Sequence, residues 1–106
     1  MNQNVSFLTA AQTAQAVREK KIAPVEVTEA YLQRVERLDP ALHAYITVTT
    51  DLALTQAKGV ERRVMKGQTD SPLLGVPVAV KDQFWTKGIR TTCGSSAYKD
   101  FVPEVD

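Results

Sequence analysis

Five successive apolar residues, Val76 to Val80, run directly into a charged pair, Lys81-Asp82. An unbroken apolar run of this length suits a strand covered on both faces, because a half-exposed strand would alternate apolar with polar residues. A chain holding such a strand needs a sheet around it and packing above and below. The run therefore predicts an α/β fold. With 106 residues in all, there is room for one domain or part of one, and two independent cores would not fit.

The sequence before this run is helical in pattern. After a loose lead-in over residues 1–8, Thr9 and Gln12 have the spacing of a capping box, and Ala10, Ala14 and Val17 mark one narrow apolar face. A first helix is expected near 9–21, closing on Lys20 and Lys21. Pro24 suits the first turn of a second helix near 24–39. Val27, Tyr31, Val35 and Leu38 form its stripe, and Asp39-Pro40 is expected to end it. The β-branched and aromatic stretch AYITVTT predicts a short strand near 44–50. A third helix near 51–66 carries Ala53, Ala57, Val60 and Val64 on one face and stops at Gly67. A second strand is expected near 76–81. From Gln83 to Ser96 the chain reads as loop, with one short helical possibility at Ala97 to Phe101.

Several function classes are set aside by composition. The formal net charge is +1 with both signs interspersed, so no footprint for nucleic acid or an anionic membrane is evident. The apolar run is far too short to span a bilayer. MNQNVSFLTAAQ lacks the basic and apolar regions of a secretory signal, and Cys93 is the single cysteine, which together predict a cytoplasmic protein. With His43 as the single histidine, a His/Cys zinc site lacks ligands, so neither metal nor cofactor is expected.

Lys81 is the residue with chemical interest. Reactive groups in open α/β sheets tend to lie beyond the carboxyl ends of strands, where Lys81 falls. A lysine serves as a general base only in its neutral form. Lowering a lysine pKa from about 10.4 to about 7 takes roughly 4.6 kcal/mol of differential stabilisation. That reading requires an enclosing site. The alternative, which pattern alone favours, is a surface lysine paired with Asp82. Cys93 could in principle act as a nucleophile, but no histidine is placed to activate it, and a small buried core cysteine is the better reading. Trp85 suits either a pocket wall or packing beneath the loop.

The stretch Leu74-Gly75-Val76-Pro77-Val78-Ala79-Val80-Lys81-Asp82, with Thr86-Lys87-Gly88-Ile89-Arg90-Thr91-Thr92-Cys93-Gly94-Ser95 after it, resembles the amidase signature family. That family has a G-x-P-x-A-x-K-D core with Ile or Val at each x, then a T-x-G-x-x-T-T-x-G-S loop. The resemblance extends more loosely from about residue 8 to Asp106. It implies a mixed-sheet α/β fold, incomplete here, and a serine–cis-serine–lysine triad that hydrolyses or transfers amides, with Lys81 as the triad lysine. Lysine relays a proton through the bridging serine to activate the nucleophilic serine, and backbone N–H groups stabilise the oxyanion.

No other triad member maps onto these residues. The family's serines follow a D-A-T motif that would begin at Asp106, and Ser95 and Ser96 belong to the hydroxyl loop instead. The sequence departs from the family at Gln83, where asparagine is usual, at Glu61, where aspartate is usual, and at His43. Gln83 puts the hydrogen bonding around Lys81 in question. Two readings stand. In one, the chain is part of an enzyme acting on a small-molecule amide, either a free-standing amidase or the A subunit of a tRNA-dependent amidotransferase; the TKGIRTTC wording leans to the latter. In the other, it is a non-catalytic fragment or interaction module complemented by a second polypeptide. Either way, an apolar strand without neighbours predicts self-association, or a partner chain, at an exposed sheet edge.

Overall fold

The computed structural model describes residues 3–106, which divide into two compact units, one of residues up to 44 with 48–77 and the other of residues 45–47 with 78–106. The lead-in residues Met1 and Asn2 lie outside the described residues. Three helices make up most of the first unit: α1 (Ala10–Arg18), α2 (Pro24–Leu42) and α3 (Thr50–Met65). A short 3₁₀ turn, Gln3–Phe7, precedes them.

Local chemistry explains where each helix begins. At α1 the capping box forms in both directions. The Gln12 N–H donates to Thr9 Oγ1 at 3.1 Å, and the Thr9 N–H donates to Gln12 Oε1 at 2.9 Å. α2 starts on Pro24, whose missing N–H costs nothing in the first turn, and it has Glu26 near its positive end. α3 has Asp51 in its first turn and Arg62 and Arg63 in its last, each complementing the helix dipole. No helix among the described residues is long and apolar enough to cross a membrane.

α2 continues through Pro40 instead of ending before it. Pro40 lies within the last turn, where it leaves only the Glu36 carbonyl without its helical N–H, and the end is closed by Asp39 through both backbone and side chain. The Asp39 carbonyl accepts the His43 N–H at 2.7 Å, and Asp39 Oδ1 accepts the Ala44 N–H at 2.7 Å. His43 takes the left-handed conformation, φ 51°, that terminates the helix.

The apolar faces meet in a small core of Val5, Val17, Val27, Ala30, Val64 and Leu74, with Ile22, Tyr31 and Val60 packed against it. α2 lies against α3 and against the 3₁₀ turn. Beyond α3, residues 66–75 return to α1. Arg18 secures that return, its Nε donating to the Thr69 carbonyl and its Nη2 to the Ser71 carbonyl, each at 3.1 Å. Gly75 then passes directly over Val17. A Cβ at Gly75 would lie 3.0 Å from Val17 Cγ2 and 3.1 Å from Cγ1, and its φ is +74°.

The α/β mixed-sheet expectation is overturned. Among the described residues there is no strand and no sheet, only an isolated antiparallel bridge between Thr86 and Ile89. Residues 44–49 are irregular and Thr50 already belongs to α3. In the other expected strand, 76–81, Val78 and Val80 are 70% and 59% exposed. The physical reason is the lack of a ladder partner. A strand is made by backbone groups on a neighbouring segment, which no described segment supplies, and Pro77 has no N–H to offer one. Without a sheet there is no sheet edge for a partner to extend.

Gly75→Ala should therefore destabilise the first unit by more than about 1 kcal/mol, since left-handed strain and the Val17 clash add. Gly67→Ala, with φ +77° and nothing within 4 Å of the added methyl, bears the strain alone. Thermal melts followed by far-UV circular dichroism should rank Gly75→Ala well below Gly67→Ala. Equal melting temperatures would remove the packing constraint.

Candidate active site

Lys81 lies in the second unit, which is built from turns instead of regular elements. Its carbonyl accepts the Gln83 N–H at 2.7 Å and the Phe84 N–H at 3.1 Å, so the chain reverses at once after the apolar run. The side chain is exposed. The enclosure that base chemistry requires is not built around Lys81 by this unit. The alternative pairing with Asp82 is not formed either: the single salt bridge among the described residues joins Lys21 to Glu19.

The Asp82 carboxylate is turned to the hydroxyl loop. Oδ1 accepts the Thr92 N–H at 2.8 Å and Oδ2 accepts the Thr92 hydroxyl. The Asp82 carbonyl accepts the Cys93 N–H at 2.8 Å. Thr92 is 5% exposed, and its Oγ1 in turn accepts the Gly94 N–H at 3.2 Å. The Thr92 hydroxyl, followed by the Thr92 N–H, holds the Asp82 carboxyl below its ordinary range, and the Gly94 N–H and the charge of Arg90 act in the same direction against partial desolvation. Gln83, the departure that put hydrogen bonding here in question, contributes its N–H to the Lys81 turn.

The rest of the loop is fastened to the end of the chain. The Thr91 N–H donates to the Phe101 carbonyl at 2.9 Å and the Gly88 N–H to the Pro103 carbonyl at 3.0 Å. Arg90 Nη1 reaches the Lys99 carbonyl at 2.6 Å. Phe101 anchors the aromatic side chains, with Trp85 at 5.3 Å and Tyr98 edge-on at 5.8 Å between ring centroids. Trp85 thus packs on Phe101 while remaining half exposed.

The other sequence candidates fall as follows. Cys93 is exposed at φ 54°, which corrects its reading as a core cysteine. Ser95 uses its Oγ to cap the short 3₁₀ turn Ser96–Tyr98, accepting the Ala97 N–H at 3.3 Å. No group of three or more His, Cys, Asp or Glu side chains suited to a metal ion occurs among the described residues. Two open grooves flank α2 in the first unit. One runs past Glu29, Lys58, Glu61 and Met65, the other past Leu32, Val35, Val48 and Leu54, and neither includes Lys81. Asp82 and the hydroxyl loop, for which the sequence leaves an orienting role and a purely structural one both open, meet through the Asp82–Thr92 bonds, a pairing that no pattern in the sequence specified.

A family model described as Amidase matches residues 26–106. Among similar proteins, the A subunit of the glutamyl-tRNA(Gln) amidotransferase from Methylococcus capsulatus is 46% identical over 98 residues, covering 92% of this chain and 20% of the relative. The subunits of the same name from Geobacter sp. and Carboxydothermus hydrogenoformans are 48% and 40% identical, covering 93% and 94% of this chain and 20% and 21% of their own length. The chain thus spans about a fifth of the relatives it matches. No solved structure matches it.

A pH dependence follows from Asp82. Its folded pKa is depressed, so its contribution to stability is complete above the unfolded value, about 3.9, and is lost as pH falls through the folded value. Trp85, the sole tryptophan, reports on this unit by fluorescence. The stability difference between wild type and Asp82→Asn should be constant near neutrality and shrink below about pH 4. A gap that stays constant into strong acid would show that the carboxylate bonds contribute nothing.

Proposed function

Because the chain belongs to the amidase family, we propose that it is the amino-terminal part of an enzyme that hydrolyses or transfers amides through a serine–cis-serine–lysine triad, with Lys81 as the lysine. The observation that carries this reading is the Lys81-Asp82 pair with the Thr91-Thr92-Cys93-Gly94-Ser95 loop hydrogen-bonded to it, inside the matched residues. In the proposed step neutral Lys81 accepts a proton from the bridging serine, which takes one from the nucleophilic serine as that oxygen attacks the amide carbonyl. Both serines come from outside these 106 residues. The relatives' names favour the A subunit of a glutamyl-tRNA(Gln) amidotransferase, hence partner subunits, over a free-standing amidase; a small-molecule amide substrate and a cytoplasmic setting belong to the proposal on the sequence reading alone.

One structural feature suits the first reading and equally the second, a module completed by another polypeptide. The second unit exposes Val78, Val80, Phe84, Trp85, Tyr98, Val102 and Val105, each about half or more, and such surfaces mark contacts with other protein. The two readings differ in where the serines are encoded.

Two experiments test the proposal. The isolated chain should show no turnover on simple amides and should self-associate through its exposed apolar side chains, with its light-scattering mass rising with concentration. A monodisperse, cooperatively unfolding monomer would count against an incomplete domain. In a chimera carrying this segment in place of the matching fifth of the Methylococcus capsulatus relative, Lys81→Ala should lower kcat by about 10²- to 10⁴-fold with much less change in KM. An unchanged kcat would remove Lys81 from the base role, whereas turnover by the isolated chain that depends on Lys81 and survives Ser95→Ala and Ser96→Ala would overturn the placing of the nucleophile outside these residues.

A further inference from the structure

We infer that Asp82 and Thr92 are positioning residues for Lys81, a clamp that both fixes its backbone and keeps the neighbouring carboxylate away from its ammonium group. The inference rests on the proposed role of Lys81 and deepens it.

Upstream of Lys81, residues 76–80 form no hydrogen-bonded strand, so no ladder holds the chain as it arrives. Downstream, Lys81 is held tightly. Its own carbonyl closes the turn to Gln83 and Phe84, and the next residue is tied across the loop by its carbonyl to Cys93 and by both carboxylate oxygens to Thr92. The far side of the clamp is itself secured. Thr91 and Thr92 are 2% and 5% exposed, Thr91 Oγ1 donates to the Ile89 carbonyl at 3.1 Å, and the Thr91 N–H bonds to Phe101. The bonds at Asp82 are therefore the last fixed points before the lysine side chain.

The same bonds have an electrostatic consequence. A carboxylate beside a lysine stabilises the ammonium form and so opposes its use as a base. Asp82 is adjacent in sequence, yet it forms no ion pair with Lys81, because Thr92 satisfies both carboxylate oxygens. The charged groups facing this carboxylate are few: Arg90 acts on it electrostatically, and its other neighbours are the neutral Thr92 and Gly94. Serine at 92 would preserve the hydroxyl and the N–H. Valine would preserve the shape and lose the hydroxyl.

The test uses the full 106-residue chain, ¹⁵N- and ¹³C-labelled and held at a concentration where light scattering gives the monomer mass, with backbone order parameters from NMR relaxation. In wild type and Thr92→Ser the Lys81 amide should give about 0.85, as for rigid backbone, whereas Asp82→Ala and Thr92→Val should bring it below about 0.6. Amides of α1–α3 should not change. Should the variants fail to fold, wild type alone decides: on acidification the Lys81 order parameter should fall in step with the Asp82 carboxyl ¹³C shift. An order parameter that stays high in Thr92→Val, or that ignores the Asp82 titration, overturns the clamp. Failure of the base role would appear instead as full turnover of the Lys81→Ala chimera, with these order parameters unchanged.

Discussion

Val17 has no exposed surface, and Gly75 rests on its two methyl groups so closely that an added Cβ would lie 3.0 and 3.1 Å from them. This contact closes the first unit, because it joins the shortest of the three helices to the segment returning from α3. Arg18, one residue on, binds the Thr69 and Ser71 carbonyls of the same return. Burying a valine contributes about 1.5–3 kcal/mol, and the core holds three more of them, Val5, Val27 and Val64, with Leu74. So small a core leaves little to spare against chain entropy. Its order depends on the glycine that lets the return approach.

The second unit solves a different problem with different means. It has no helix longer than the short Ser96–Tyr98 turn and no sheet, so it satisfies its backbone through individual loop-to-loop bonds, from Thr91 to Phe101, Gly88 to Pro103 and Cys93 to Asp82. Each is a single interaction worth about 0.5–1.5 kcal/mol net. A unit held this way is ordered locally, around Thr92 and Phe101, and leaves its apolar side chains outside. The geometry near Lys81 is thus specified by a few polar contacts and not by a packed sheet.

The helices were legible because their apolar residues recur at helical spacing and two of their starts carry local signals, the Thr9–Gln12 capping box of α1 and Pro24 in the first turn of α2. The end of α2 was not, because Pro40 forfeits a single helical bond, to the Glu36 carbonyl, and Asp39 supplies the closing bonds. The strands were misread for a shared reason. Apolar runs and β-branched residues state a preference for burial in a sheet, while strand formation depends on a second backbone that composition does not reveal. Pro77 was the visible warning within 76–81. The active-site candidate was legible as a motif, yet the bonding of Asp82 to Thr92 joins residues ten apart with no periodicity to signal it.

The exposure of Lys81 sharpens what its chemistry would require. A lysine acts as a base only where water is kept from it, and nothing in the second unit covers Lys81. What this unit does supply is the part of the task that can be done locally: a turn and loop bonds that hold the backbone directly after Lys81, and an adjacent carboxylate whose oxygens are already occupied. Desolvation, by contrast, needs surface from elsewhere. The exposed Val78, Val80, Phe84 and Trp85 are the apolar side chains closest to Lys81 in sequence, so a covering surface that buried them would also be placed to exclude water from the lysine. The same burial would offset the cost of desolvating it, at about 25 cal/mol per Å² of apolar surface covered. Coupling those two processes would make the base competent only when the cover is in place.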